Sequence, residues 1–409
     1  MTSGTTHKWT FAPRFRRNAF GWRSQPAITR IREAVSEIKK AARKDPVLAA
    51  EGAVMFLEKV SPALAHVDSS SGSIGTAVNN AIDTLVTIIA GASADDVVRD
   101  RWLDRLWHAV EEDEIPYLEL LPDFWGELCA TREQASRWAD SLIEMVRLSW
   151  RPRSGGYSYF KGTTACLSSL LKAGRNDEIL SLLQLSPNKY WHYRKWGVKA
   201  LAAMGRKAEA IRYAEDSRGI NEPSGAISEV CEAILLSSGL VSEAYNRYAV
   251  EVNQGTTYLA TFRAVAKKYP HKTASEILSD LVASTPGEEG KWFAAAKSAG
   301  LYDEAIALAN RTPCDPRTLT RAAKELSATQ PGFAVEAGMA ALRWLVEGYG
   351  YEITATEVRE AYNYTIISAE NQGCKQKIFE RIRKLVKSHS SGQRFAATVI
   401  GRELGLPDC

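Results

Sequence analysis

The sequence predicts an all-α protein in which an N-terminal helical segment leads into an α-solenoid of antiparallel helical hairpins. Apolar residues recur at spacings of three and four along much of the chain, which is the period of a helix with one buried face. A Gly, a short turn, and an acid followed by Ala or Ile then return at intervals of roughly 30–40 residues. Such a period is typical of stacked helical hairpins.

Length and composition are those of an ordinary folded protein. The chain has 409 residues, of which 45% are hydrophobic and 24% are charged. Its longest apolar run, Leu85–Ala90, is far shorter than the ~20 residues of a membrane span. A secretory signal requires an apolar run after its basic N-terminus, and no such run is present here. We therefore expect a cytoplasmic protein without a membrane partner.

The residue types that carry most enzyme and metal chemistry are scattered. The six cysteines form no Cys-x-x-Cys pair, and the six histidines form no His-Glu-x-x-His motif. No Gly-x-Ser-x-Gly nucleophile motif occurs either. We predict buried or bystander thiols, no metal, no cofactor and no catalytic residue. An active site assembled from carboxylates distant in sequence stays open as the less favoured alternative.

Charge is distributed unevenly along the chain. Residues 1–44 hold 11 Lys and Arg against Glu33 and Glu37, whereas residues 45–144 hold 6 against 19 acids. A basic arm beside an acidic segment can dock onto it or reach an anionic partner, and docking is the favoured alternative. Pro and paired Gly after Trp150 mark a boundary. Three regions follow: a basic aromatic arm over 1–25, a helical domain over 26–150 and a repeat domain over 151–409.

Helix starts can be read in the N-terminal domain. Ser24 with Pro26 starts one helix, and Asp45-Pro46 supplies an N-cap and a first-turn proline for the next. Ser61-Pro62 is predicted to start a short turn, and Asp95-Asp96 to begin a further helix. Two loops can also be predicted. Residues 68–75 are expected to cap an apolar helix, and residues 111–114 to form a solvated acidic turn.

The arm interleaves aromatic and basic residues. Its candidate partner-binding residues are Arg14, Arg16, Arg17 and Trp22. Aromatics can stack on bases while arginines neutralise phosphates, so nucleic acid is one possible partner. The favoured interpretation is that the aromatics pack on the first helices while the arginines stay solvated.

Glycine markers define the repeats. They are Gly174, Gly205, Gly239, Gly300, Gly332 and, more weakly, Gly373. A degenerate turn at 268–270 fills the long interval between Gly239 and Gly300, so we expect about seven hairpins. Glycine can leave a helix through the left-handed conformation. The acid that follows meets the positive end of the next helix, and the Ala lets two helices approach closely.

The turn Gly300-Leu301-Tyr302-Asp303-Glu304-Ala305-Ile306 resembles the inter-helix turn of a tetratricopeptide (TPR) repeat. Ala210, Ala244 and Ala305 match the small packing position of that family, over about residues 170–380. Phe293, where the family has a small residue, and the early break at Thr312-Pro313 are departures. The resemblance implies a fold that binds peptides or protein surfaces in a concave groove, and it implies no particular ligand.

Two segments of the repeat region contain further candidates for partner binding. These candidates are Tyr190, Trp191, His192, Arg194, Lys195, Tyr349 and Tyr351. The first segment could stack bases or hold a peptide, but core packing with partial exposure is favoured. For the second, a functional loop and structural accommodation are equally good explanations.

The leading hypothesis is a non-catalytic helical-repeat scaffold that binds a protein or peptide in its concave groove. The alternative is a nucleic-acid-associated helical-repeat protein that uses the arm and residues 190–199. The repeat signal motivates the first hypothesis, and the basic arm motivates the second.

Overall fold

The structure, a computed structural model, describes residues 7–151, 158–219, 223–389 and 395–405. Those residues form helices joined by turns and contain no β-strand, which confirms the predicted all-α class. The α-helices are α1 (Ser24–Ala42), α2 (Pro46–Ala63), α3 (Ser73–Gly91), α4 (Asp96–Glu111), α5 (Trp125–Leu128), α6 (Arg132–Ser149), α7 (Thr163–Ala173), α8 (Asn176–Gln184), α9 (Trp191–Ala203), α10 (Lys207–Glu215), α11 (Ser224–Ser237), α12 (Val241–Val252), α13 (Tyr258–Lys268), α14 (Ala274–Ala283), α15 (Phe293–Ser298), α16 (Tyr302–Arg311), α17 (Pro316–Leu326), α18 (Pro331–Val346), α19 (Ala355–Asn371), α20 (Lys375–His389) and α21 (Phe395–Glu403). Short 3-10 helices cover Ala12–Phe15, Leu121–Phe124 and Glu289–Trp292.

The helix starts of the N-terminal domain are largely as predicted. Asp45 and Asp95 each accept a hydrogen bond from a first-turn N–H, at the starts of α2 and α4. Such a cap contributes about 0.5–2 kcal/mol relative to alanine. The short turn predicted at Ser61-Pro62 begins later, at residues 64–66, because α2 continues to Ala63. Full burial of Val60 and Ala63 outweighs the one hydrogen bond that Pro62 removes.

Asp113 corrects the prediction of a solvated acidic turn over 111–114. Its side chain is buried and accepts hydrogen bonds from the Leu118 N–H at 2.7 Å and from the Ser61 hydroxyl. Burial raises the pKa of this carboxyl group. The other three acids of the turn are exposed, as predicted. Ser61 lies 52 residues away in sequence, so a local pattern could not show this contact.

The N-terminal arm docks on α1 and α2. Phe11 and Phe15 are buried, with ring centroids 5.8 and 5.0 Å from that of Phe56 in α2. Gly52 of α2 admits the Trp9 indole, because a Cβ at this position would lie 2.2 Å from it. The interpretation that the aromatics pack on the first helices is confirmed for Trp9, Phe11 and Phe15, whereas Trp22 is exposed.

The chain divides into two compact units, Met1–Ile227 and Ser228–Cys409. In the first unit α1, α2 and α3 pack on one another, and α7 packs on α6 and α9. In the second unit α17, α18 and α19 pack together, and α20 and α21 pack on α18 and α19. The domain boundary predicted at residues 150–151 falls within the first unit, and residues 152–157 lie outside those that the structure describes.

α3 is long and apolar enough to pass as a membrane span by length and composition alone. A buried helix in a helical core passes the same test. Ile74, Val78, Ile82 and Leu85 of α3 are buried, and the helix packs against α1, α2 and α5. The absence of a membrane partner therefore stays a prediction.

Five of the marker glycines lie at helix ends, as predicted. Gly174, Gly205, Gly239, Gly300 and Gly373 have φ angles between 71° and 79°. A Cβ at any of these positions would meet nothing within 4 Å, so the left-handed backbone rather than crowding requires glycine. The degenerate turn after α13 is also a helix junction, since α14 follows it.

Gly332 is the exception, and its assignment as a turn glycine is wrong. It lies in the first turn of α18, which begins at Pro331. Glu336 and Ala337 follow it at the spacing of the turn motif, which explains the error. Ala337 is nevertheless fully buried, so the small packing position at this site is real.

The cysteines that the structure describes form no disulfide, and four of them are buried. These are Cys129, Cys166, Cys231 and Cys314, while Cys374 is partly exposed. Burial raises the pKa of Cys129, Cys166 and Cys314 to about 12, so they stay protonated at pH 8.

Iodoacetamide at pH 8 is therefore expected to modify Cys374 readily in the folded protein and the four buried thiols only after unfolding. The measurement is peptide mass spectrometry on a Cys409→Ser variant, because Cys409 lies outside the described residues. A Cys374→Ser, Cys409→Ser variant is the control. Rapid modification of any buried thiol in that control would contradict the prediction.

Candidate partner-binding groove

A groove of about 850 Å³ runs between α1 and α3. The backbone N–H of Asp68 donates to the Trp22 carbonyl at 2.9 Å, which joins the loops that precede the two helices. α1 and α3 therefore begin at the same end of the groove, where Gln25 and Ser73 both line it. A cleft of this volume lies within the range of ligand-binding sites.

The α1 wall of the groove is strongly cationic. Arg32, Lys39, Lys40 and Arg43 line it, and all four are exposed. None of the four has an ion-pair partner in the part of the chain that the structure describes. Among the described residues, no carboxylate lines the groove, and the only charged residue of α3, Asp83, lies outside its lining.

The docked arm explains why these cations have no ion-pair partner on α1. The carboxylate of Glu37 accepts hydrogen bonds from the Thr10 N–H at 2.8 Å and hydroxyl at 2.5 Å. Glu33 pairs with Arg14 at 3.0 Å and with Arg30 at 2.6 Å. Both acids of α1 are thus engaged away from the groove. Among its described residues, the arm makes its ion pair with α1, whereas its contacts with the acidic segment 45–144 include the apolar one with Phe56.

The other described residues that line the groove are uncharged. The α3 wall presents hydroxyl and amide groups from Ser73, Thr76, Asn80 and Thr84. An apolar floor separates the two walls, and it is formed by Ile28, Ile31, Val35, Ala77 and Ala81. The groove can therefore bind carboxylates on one side, form neutral hydrogen bonds on the other and receive aliphatic side chains between them.

The other candidate residues of the arm lie outside this lining. Arg16 and Arg17 are exposed on the arm. Trp22 is 72% exposed and stands two residues before α1, so it lies next to the end of the groove where both helices begin. Of the arm candidates, Trp22 is therefore the best placed to contact a ligand of the groove.

The stretch 190–196 forms the start of α9, and its two cations are paired within the first unit. The Arg194 guanidinium lies 3.7 Å from the centroid of the Tyr213 ring and donates to Asp216 at 2.9 Å. The Lys195 ammonium lies 2.5 Å from the Asp123 carboxylate. These two cations fix α9 to its neighbours and are not available as a pair to a partner.

The remaining candidates of this stretch divide between core and surface. Trp191 is buried, whereas Tyr190 and His192 are exposed. His192 and Lys195 line a second cavity of about 350 Å³, together with Asp113 and Lys161. Although part of its surface is exposed, the His192 imidazole is partly desolvated where it lines this cavity, which lowers its pKa.

The cations of the second cavity are bound by protein oxygens. The Lys161 ammonium donates to the carbonyls of Val110, Glu111 and Asp113, at 3.1, 3.0 and 2.7 Å. These carbonyls lie at the end of α4, where a cation complements the helix dipole. Because Lys195 is also paired with Asp123, this cavity has less unpaired positive charge for a negatively charged ligand than the groove has.

Tyr349 and Tyr351 lie in the segment between α18 and α19, in the second unit. Tyr349 packs its ring edge-to-face on Trp344, with centroids 5.1 Å apart, and Tyr351 is 77% exposed. Gly348 and Gly350 have φ angles of 90° and 113°, which end the helical periodicity as predicted. Tyr351 is thus available at the surface, and Tyr349 packs on Trp344 while remaining 45% exposed.

No group of His, Cys, Asp and Glu residues that could hold a metal ion occurs in the described ranges. Comparisons with protein-family models and with curated proteins find no match. The resemblance to TPR repeats therefore rests on the turn motif and its local geometry, and the candidate site rests on the groove itself.

Proposed function

We propose that this chain is a non-catalytic helical-repeat protein that binds an acidic segment of a partner protein in the groove between α1 and α3. The observation that carries this proposal is the cationic α1 wall, with Arg32, Lys39, Lys40 and Arg43 exposed and unpaired among the described residues. Four like charges along one helix repel one another, and carboxylates of a partner would relieve that repulsion.

The composition of the groove favours a protein partner over a nucleic acid. None of the described residues in its lining is aromatic, whereas single-stranded nucleic acids are held largely by stacking on aromatic rings. Its apolar floor suits the aliphatic side chains of an amphipathic peptide. Arg194 and Lys195, which the nucleic-acid hypothesis includes in its binding surface, are engaged by Asp216 and Asp123.

We also propose that the helices from α7 onward stack as TPR-like hairpins within each unit, to a total of about seven. Ala210, Ala244 and Ala305 are fully buried, each preceded by a first-turn acid. Alternate helices are in contact, α7 with α9, α16 with α18 and α17 with α19. Such contacts support a solenoid, because each hairpin there packs on the next.

Reversing the groove charges is expected to weaken binding of an acidic amphipathic peptide about 10-fold, or ~1.4 kcal/mol. The variant is Lys39→Glu, Arg43→Glu, which turns two attractive contacts into repulsive ones. Fluorescence anisotropy with a labelled Glu-rich peptide at roughly 50 mM salt provides the measurement. The matched control is Arg16→Glu, Arg17→Glu, which makes the same charge change outside the groove.

Two results would argue against this proposal. Equal affinity of the wild type and the groove variant would exclude the α1 wall as the binding surface. Tighter binding of a DNA or RNA oligonucleotide than of the peptide at about 150 mM salt, with a steep salt dependence, would favour the nucleic-acid alternative. Circular dichroism of each variant checks that the helices are retained.

A further inference from the structure

We infer that the groove between α1 and α3 takes an amphipathic helix that lies antiparallel to α1 and carries its acids in its first turns. This inference rests on the proposed function and adds the secondary structure, direction and charge pattern of the bound segment. Three considerations carry it: the shape of the groove, the unequal distribution of cations along it, and the dipole of the bound helix.

The shape of the groove suits a helix. On α1 the lining runs from Gln25 to Arg43, about 27 Å at 1.5 Å per residue, and on α3 it runs from Ser73 to Thr84. Two packed helices leave a straight furrow of this kind, into which the side-chain ridges of a third helix fit. α2 packs against both α1 and α3, so a bound helix would complete a four-helix arrangement.

The cations are concentrated at one end of the groove. Lys39, Lys40 and Arg43 belong to the last turn of α1 and its C-terminal flank, whereas Arg32 is the one cation of the lining nearer the start of α1. The opposite end has the exposed indole of Trp22 beside it. The acids of a bound helix therefore belong at the C-terminal end of α1, and an apolar residue belongs near Trp22.

The helix dipoles then select the direction. Acidic side chains stabilise a helix when they stand in its first turn, because they face the positive end of its dipole. If the bound helix begins beside Lys39, Lys40 and Arg43, the carboxylates of its first turn face the positive end of its dipole. The same carboxylates then pair with the cations of the groove. A helix parallel to α1 would have to place its acids in its last turns, against its own dipole.

The walls of the groove also define the faces of the bound helix. Acids are expected along the edge that faces α1, and Ser, Thr, Asn or Gln along the edge that faces Thr76 and Asn80 of α3. Small aliphatic residues are expected on the face above Ile31 and Ala81. Both residues are buried, so the floor has little depth there for a large side chain. This is a three-stripe amphipathic pattern with the charge at the N-terminal end.

A pair of peptides of identical composition tests the direction. Both carry the same aliphatic stripe and blocked termini; one has its four Glu residues in the first two turns, and the other has them in the last two. Anisotropy titrations of the full chain are expected to show about 5- to 10-fold tighter binding of the first peptide. The Lys39→Glu, Arg43→Glu variant is expected to abolish this preference, and Arg16→Glu, Arg17→Glu is expected to preserve it.

A photo-crosslinker at the N-terminus of the first peptide supplies an independent readout. Mass spectrometry is expected to place the crosslink in the last turns of α1 and not near Trp22. Equal affinity of the two peptides, tighter binding of the second, or a crosslink near Trp22 would overturn the antiparallel direction while leaving the proposed function intact. Failure of both peptides to bind at low salt would overturn the proposed function as well.

Discussion

Replacing Arg99 with alanine is expected to lower the free energy of unfolding of the first unit by about 3–5 kcal/mol. Arg99 lies on α4 and is buried, and its guanidinium donates to the carbonyls of Ile89 and Leu128, both at 3.1 Å, and to that of Ala92. Burial lowers the pKa of Arg99, yet an arginine keeps its proton in a protein. Truncation leaves three carbonyls without this donor and opens a cavity between α3, α4 and α5.

The measurement is urea unfolding followed by tryptophan fluorescence. Nine of the 11 tryptophans lie in the first unit, so the signal reports mainly on it. Arg101→Ala removes an exposed arginine from the same helix and is expected to change stability by no more than about 0.5 kcal/mol. Arg99→Lys should fall between the two, because one ammonium cannot reproduce the planar fork of donors. A loss below ~1 kcal/mol for Arg99→Ala would show that water or rearrangement satisfies the carbonyls.

Replacing Glu232 with alanine is expected to cost the second unit about 2–4 kcal/mol. The Glu232 side chain, on α11, is 1% exposed and accepts hydrogen bonds from the Tyr269 hydroxyl and the Lys268 ammonium. Tyr269 is fully buried, so its hydroxyl would lose its acceptor. Burial, together with the hydrogen bond to the Glu232 carboxylate, raises the pKa of Tyr269 well above its usual value, so the phenol stays neutral and donates. Lys268 is partly exposed and can turn to water, which keeps the loss below that of a fully buried pair.

Two substitutions separate the hydrogen bond from the charge. Glu232→Gln keeps an acceptor for Tyr269 and should lose less stability than Glu232→Ala. Glu229→Ala removes an exposed acid from the same helix and is expected to be nearly neutral. Urea unfolding by circular dichroism, with amide hydrogen exchange in α13 and α14, assigns the loss to the second unit. Equal stability of Glu232→Ala and Glu229→Ala would contradict a supporting role for this cluster.

Local sequence patterns predicted most of the helices, because the interactions that start and end a helix are local. Asp45 and Asp95 cap helices by bonding N–H groups three residues away. Glycine at 174, 205, 239, 300 and 373 is required by the backbone angle at a single residue. Local spacing gave a wrong prediction at Gly332, which was assigned to a turn. Pro331 next to it starts α18, so Gly332 lies in the first turn of that helix.

The candidate groove could be predicted only in part. Lys39, Lys40 and Arg43 are visible in the sequence as basic residues at the end of an amphipathic helix. Whether they are available to a partner depends on where Glu33 and Glu37 find their own partners. Arg14 and Thr10 supply those partners from the docked arm, 19 and 27 residues away in sequence. The same applies to Arg194, whose pairing with Asp216 no helical periodicity could reveal.

The sequence by itself determined the all-α class, the capped helix starts and most of the glycine turns, including that of Gly300. Periodicity, capping and backbone angle act over a few residues, so they can be read without knowing the fold. Only the tertiary structure decided which charged side chains are paired within the protein and which remain unpaired and available to a partner. Residues far apart in the chain meet when the arm docks and α3 packs beside α1, and the groove of Arg32, Lys39, Lys40 and Arg43 exists because of that packing.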